Sequence, residues 1–351
     1  MASTTVYFAT NRRMAREASG PGFGPEIVGD LDSIRYGKVT FDGTRLYRRD
    51  VTRISAEGRI EVAPERLHPT DADKSLLGSK AVYAEVRERM CAGADALVFL
   101  HGYNHTFREA AGRAVQLSQW LGEVHDRDLV VFFFSWPSGG AGVRPRTYHD
   151  DRAMALASGP ALARAILKAT DFIRNVRGEG RCGGDIHLLA HSMGNHLLRA
   201  GIQAMRTFVG NNIPPLFDEV FLVAADDDAD TLSIAHKTMP LLRGCRRVTV
   251  YYNQMDTALK ASDVAMGNPD RLGRSGPLPH LEDGAKIAVV NVSPTIVWEA
   301  GGDDLWQADP SGHQYFRSNA LVRSDMAQVL RGTLDDEIQG RIRRERYYRI
   351  G

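Results

Sequence analysis

A serine set between small residues at the end of an apolar run is the first feature of this chain that could do chemistry. Residues 188–196 read LLAHSMGNH: the apolar run ends at Ala190, Ser192 follows, and helix-forming sequence begins at once. A strand–turn–helix elbow of this kind presents a serine hydroxyl at the edge of a sheet and at the N-terminus of a helix. The free N–H groups and the helix dipole there favour negative charge developing on a bound carbonyl oxygen. The turn is tight, so the residues two before and two after the serine must be small; here they are Ala190 and Gly194. Glycine is the usual first residue, and Ala190 is a mild departure that such a turn tolerates. Ser192 is therefore expected to be a nucleophile for acyl transfer, with the N–H of Met193 aimed at the oxyanion. A serine that merely caps a helix beside a chance glycine has the same local sequence, so the reading depends on whether the chain also supplies a base, an acid and a second oxyanion donor.

Residues 99–106, FLHGYNHT, follow the first buried-type strand of the catalytic region. Gly102 lets the backbone approach a substrate closely, and the N–H of Tyr103 is expected to be the second oxyanion donor. His101 and Gly102 support that loop; an ordinary His-Gly turn is the bland alternative. A serine nucleophile needs a general base, and the base needs an orienting acid. In folds built on this elbow the chain order is serine, acid, histidine. His313, in DPSGHQYF, is the only histidine beyond residue 280 and follows the last strand-like run, 285–292. Asp256 stands in the loop after the second strand beyond Ser192 and is expected to be the acid; merely capping the helix that starts near Thr257 is the bland alternative. Asp226, Asp227 and Asp228 follow the intervening strand. They could form a solvated loop, a helix cap, or an alternative home for the acid. His187, His191 and His196 read as packing or supporting residues.

These residues need a scaffold. DALVFL (95–100), LVVFFFSW (129–136), DIHLLA (185–190), EVFLVAA (219–225), RRVTVYY (246–252) and AKIAVVNV (285–292) are continuous apolar runs, as expected of strands buried on both faces. Helical stretches separate them: Thr106 to Leu121, roughly 150–176, one from Met193, short ones after 225 and 252, and Asn319 to Leu330. Alternating strands and helices imply a mostly parallel sheet covered on both faces. Residues 4–9, 36–42 and 51–62 read as strands of an antiparallel edge, 11–35 as a loop rich in Gly, Arg and Pro, and 63–90 as a loop followed by a helix ending near Met90. A single domain is expected over 1–332, with 1–90 as N-terminal strands and loop and 91–332 as catalytic core. Residues 333–351 read as a charged tail of loosely helical character. The connection after 219–225 is too short for a large cap domain, so the loop 137–150, with Arg144 and Arg146, is the expected pocket rim.

The balance of 44 basic and 43 acidic residues gives a net charge of +1. That leaves no cationic excess for nucleic acid or an anionic membrane surface. No run approaches the roughly 20 apolar residues of a membrane span. The first residues lack the basic and apolar regions of a signal peptide. Cys91, Cys182 and Cys245 are odd in number and widely spaced, so neither a zinc site nor a disulfide framework is expected, and a reduced cytoplasm is the expected compartment.

FATNR (8–12), LVFLHGYNHTF (97–107), FSWPS (134–138), LLAHSMGNHLL (188–198), LVAADDDAD (222–230) and RLGRSGP (271–277) occur in an order that resembles the bacterial alpha/beta hydrolases grouped as domain of unknown function 900. The resemblance runs over roughly residues 4–320 and is weakest in 11–90. It implies the alpha/beta-hydrolase fold and carries the triad onto Ser192, Asp256 and His313; it says little of substrate. The expectation is a serine hydrolase that cleaves a small-molecule carboxylic ester through an acyl-enzyme, with no metal or organic cofactor. Amide or peptide hydrolysis and acyl transfer use the same triad, and a non-catalytic binding scaffold is the alternative of another class.

Overall fold

The computed structural model describes residues 3–17, 20–28, 30, 33–42, 58–65, 76–139, 145–178, 183–211, 213–279, 281, 286–295 and 311–351. The strands are β1 (Ser3–Thr10), β2 (Arg12–Glu17), β3 (Gly20–Ile27), β4 (Arg35–Asp42), β5 (Arg59–Val62), β6 (Asp95–Leu100), β7 (Leu129–Ser135), β8 (Ile186–His191), β9 (Phe217–Val223), β10 (Cys245–Tyr252), β11 (Ile287–Asn291), β12 (Arg341–Arg343) and β13 (Tyr348–Ile350). The helices are α1 (Gly78–Cys91), α2 (Phe107–Gly122), α3 (Pro145–Ala157), α4 (Gly159–Gly178), α5 (Gly194–Val209), α6 (Thr257–Ala265), α7 (Leu272–Ser275), α8 (Tyr315–Ser318) and α9 (Ala320–Leu330).

Among the described residues eleven strands join one sheet in the order β12-β13-β11-β10-β9-β8-β6-β7-β1-β4-β5. The run from β13 to β1 is parallel throughout, whereas β4 and β5 at one edge and β12 at the other are antiparallel to their neighbours. The continuous apolar runs have a simple cause: successive side chains point to opposite faces of the sheet, and each face carries its own core. In β7, Val130, Phe132 and Phe134 enter the core under α1, α4 and α5, while Leu129, Val131 and Phe133 enter the one under α2 and α9. Neither face could tolerate polar alternation, so the pattern reads as solid hydrophobicity. Every strand of the central parallel run ends at the same sheet edge, and the loops that leave it carry the chemistry-bearing residues.

Several expectations are corrected. Residues 11–35 are not one loop, since β2 and β3 pair as a separate antiparallel hairpin. The helix expected over 150–176 is two, α3 and α4, broken at Ser158–Gly159–Pro160. Pro160 cannot continue a preceding helix, and a Cβ on Gly159 would lie 2.7 Å from the Ala200 backbone of α5. The charged tail is not a loose helix: beyond one 3-10 turn at Asp335–Glu337 it forms strands. Tyr348 and Arg349 pair in parallel with Val290 and Asn291, and β12 folds back on β13. Arg341 anchors this hairpin, its buried guanidinium meeting Asp325 through two bonds of 2.7 and 2.8 Å. Cys91 is disulfide-bonded, contrary to the reading of the cysteine count, while Cys245 is a buried free thiol; Cys182 lies outside the described residues. So do residues 51–57 of the strand expected over 51–62, and Arg144.

The connection from β9 to β10 holds turns and one 3-10 helix, Met239–Arg243, with no inserted cap. Among the described residues no helix is long and apolar enough to cross a membrane.

Candidate active site

Ser192 sits in the turn between β8 and α5 with φ of 55°, one of three non-glycine residues in the left-handed region among those described. That conformation costs on the order of 1–3 kcal/mol and persists only where surrounding bonds over-determine it. Those bonds are present. Ser192 N–H donates to the Val223 carbonyl at 3.1 Å, and its own carbonyl accepts from Asn195 N–H, Asn195 Nδ2 and Asp226 N–H at 3.0, 3.0 and 3.1 Å. Gly194 is required by packing. A Cβ there would clash with the Leu100 carbonyl oxygen and come within 2.8 Å of that of His101. Ala190 lies inside β8, fully buried, so its methyl is accommodated as expected.

The loop after β6 runs against the serine. A Cβ on Gly102 would lie 2.8 Å from Ser192 Cβ and 3.2 Å from His191 Nδ1, so only glycine lets the chain pass. This brings the Gly102 backbone against the elbow at His191 and Ser192, with Tyr103 lining the same cavity as Ser192. The loop is pinned from several sides. His101 stacks on Trp136 at 5.3 Å, and the Trp136 indole donates to the His101 carbonyl at 3.0 Å. Asn104, itself at φ of 60°, donates its N–H to Asp151 at 3.1 Å, and His105 donates its N–H to Ser138 Oγ at 3.1 Å. Thr106 then starts α2 with a full capping box, closed by Glu109.

Arg12 is the pin that the sequence reading missed. Its fully buried guanidinium donates to Ser135 Oγ, to the Ser138 and Gly24 carbonyls, and to the His105 carbonyl at 2.7 Å. It thereby ties β2 to the loops after β6 and β7. Burial lowers its pKa to about 9, against the pull of Asp151 and Glu109. A position inside a Gly- and Arg-rich stretch gives no periodic signal; only its place in FATNR marks it.

His313 and Asp256 meet at the far side of the elbow. His313 Nδ1 lies 2.6 Å from Asp256 Oδ2, and Asp256 is fully buried. Asp256 Oδ1 meanwhile accepts from Leu259 N–H at 2.9 Å and so caps α6. Asp256 thus contacts the His313 ring through one oxygen and caps α6 through the other. The His313 loop is held by Asn253 Nδ2 on the Gly312 carbonyl at 2.8 Å and by Thr257 N–H on the Ser311 carbonyl at 3.0 Å. His191 Nε2 bonds the His313 carbonyl at 3.2 Å, and its ring packs on Phe316. Burial holds His101 and His191 well below the usual histidine range and His105 at about 4, so all three stay neutral near pH 7. The neutral His191 therefore donates to that carbonyl and positions the loop.

Ser192 and His313 open on one cavity of about 510 Å³, lined also by Tyr103, Tyr148, Asp226 and Ser262. Tyr148 comes from α3, so the segment expected to form the rim does contribute to the wall. The acidic run 226–228 is not a solvated loop. Asp227 and Asp228 pair with Arg199 at 3.1 and 2.9 Å, and Asp228 pairs with Arg271 at 2.8 Å. Asp226 faces the cavity and bonds Tyr148 and Ser262 rather than a histidine.

The chain belongs to the family of alpha/beta hydrolases of unknown function termed domain of unknown function 900, whose model matches residues 80–331. No curated protein and no solved structure matches it.

Proposed function

We propose that this alpha/beta hydrolase is a serine hydrolase that cleaves small carboxylic esters, with Ser192 as nucleophile, His313 as general base and Asp256 as the acid that orients it. The observation that carries the reading is the His313–Asp256 bond of 2.6 Å on the cavity that Ser192 also lines. With Asp256 on Nδ1, the His313 ring is fixed with Nε2 as the acceptor, the tautomer a general base needs. In this mechanism Nε2 takes the Ser192 proton as Oγ attacks the ester carbonyl. The N–H groups of Tyr103 and Met193 hold the oxyanion, with His101 and Gly102 shaping the loop that presents the first of them. His313 then protonates the departing alcohol, and a water activated by the same nitrogen releases the acid from Ser192.

A cavity of about 510 Å³ suits a small acyl group and a small alcohol. The short β9–β10 connection leaves no cap to open at a lipid surface, which supports soluble short-acyl substrates over long-chain emulsions.

The test is Ser192→Ala assayed on an activated acetate ester. The variant is expected to fold as wild type and to lose about 10⁴-fold or more in kcat. Retention of more than about a tenth of wild-type kcat would remove Ser192 from the mechanism.

A further inference from the structure

The cavity wall carries a buried carboxylate, Asp226, that the triad does not use. Asp226 is 3% exposed and lines the cavity, and its N–H donates to the Ser192 carbonyl at 3.1 Å, which places it one bond from the elbow. Its Oδ1 accepts from Ser262 Oγ at 2.8 Å and its Oδ2 from the Tyr148 hydroxyl at 2.9 Å. The Tyr148 hydroxyl is itself held by Asn268 Nδ2 at 3.0 Å, and burial followed by the Asp226 charge pushes its pKa to about 12, so it stays a donor. Two hydroxyl protons occupy about half of the lone-pair sites a carboxylate offers.

The contrast with its neighbours is informative. Asp227 and Asp228 each have a cation in direct contact, Arg199 for both and Arg271 for Asp228. Among the described residues Asp226 has one ion pair, a long one to the buried Arg271 Nη1 at 3.9 Å, outside hydrogen-bond reach, and that nitrogen makes no hydrogen bond there. Of three consecutive carboxylates, the one that faces the cavity is the one with no hydrogen-bonded cation among the described residues. Burying such a group is costly unless a partner arrives. We infer that the partner is the substrate: the site takes esters that carry a hydrogen-bond donor, an ammonium or a hydroxyl, next to the reacting carbonyl, and Asp226 selects for it. The inference rests on the hydrolase reading above.

Wild-type protein is assayed on the near-isosteric alanyl, lactyl and propionyl 2-naphthyl esters, which place an ammonium, a hydroxyl or neither on the acyl side. The acetates of ethylene glycol and 1-propanol repeat the comparison on the alcohol side. In at least one arm the donor-bearing ester is expected to exceed its comparator about tenfold or more in kcat/KM, as for a charge-assisted bond made in the transition state. Asp226→Asn, which keeps an acceptor but removes the charge, is expected to collapse the alanyl preference, and Asp226→Ala to collapse both. Thermal melting reports whether each variant folds; should neither fold, the wild-type ratios decide alone. Equal kcat/KM with and without the donor in both arms overturns the inference, as does a ratio that survives Asp226→Ala. If a fluorophosphonate labels Ser192 yet none of these esters turns over, this inference falls while the hydrolase reading stands. Absence of both labelling and turnover removes both.

Discussion

Asp256 divides its two oxygens between two tasks, and that division shapes what a substitution there does. Oδ1 caps α6 through Leu259 N–H, while Oδ2 receives His313 Nδ1. An asparagine can keep the cap with its carbonyl, so the fold survives, but it turns an NH₂ group or a weaker acceptor toward the ring and no longer fixes the tautomer. Asp256→Asn is therefore expected to lose roughly 10³-fold or more in kcat/KM, by analogy with triads whose acid is amidated. Asp226 also follows a buried strand, yet its oxygens are committed to Tyr148 and Ser262. On an ester without a donor group, Asp226→Asn is expected to lose under about tenfold, since no triad contact is removed. Kinetics of the purified pair on such an ester decide between them; the reverse ranking moves the acid to Asp226. The assignment of Ser192, Asp256 and His313 to one site could be read from residue type and chain order because the elbow dictates that order. The supporting residues could not. Arg12, Asn253 and His191 act through backbone carbonyls, and a bond to a carbonyl leaves no pattern in sequence.

At the scale of elements, legibility followed burial. β6 to β11 are apolar because both faces of the sheet are covered, and their sequences announce them to within two residues at each end. The edges are another matter. β12 and β13 are three residues each and carry Arg341, Arg343 and Arg349; charged, short edge strands blunt edge-to-edge pairing and for the same reason lack a hydrophobic signature. The β2–β3 hairpin likewise has a bulged register and an exposed outer face, and Gly20, Pro21 and Gly22 read as loop in isolation. What places it is not propensity but Arg12, whose side chain reaches three other segments. The break between α3 and α4 falls at Ser-Gly-Pro inside a stretch read as one helix, because its reason, the approach of Gly159 to α5, is tertiary.

For the whole molecule, the buried histidines set a pH dependence. Burial lowers His187 to about 3 and His105 to about 4, and holds His101 and His191 well below their ordinary value. In the unfolded chain all four titrate near 6.5. Below that value the folded state therefore binds fewer protons than the unfolded chain, and stability present above about pH 6.5 is lost progressively toward the folded pKa values, at up to about 1.4 kcal/mol per pH unit for each excluded proton. The melting temperature is expected to drop steadily from pH 7 to pH 5, before carboxylates such as Asp95, held at about 2, begin to contribute. His187→Gln should shallow the slope by about one proton; a melting temperature flat over that range would contradict the burial argument. In the proposed mechanism the elbow, the glycine loop and the helix-capping acid of this packed assembly together activate one serine, Ser192. The direct measurement is peptide mapping after treatment of native protein with a fluorophosphonate. A single adduct on Ser192, lost on prior unfolding, is the expected result; no adduct, or an adduct on another residue, contradicts the account.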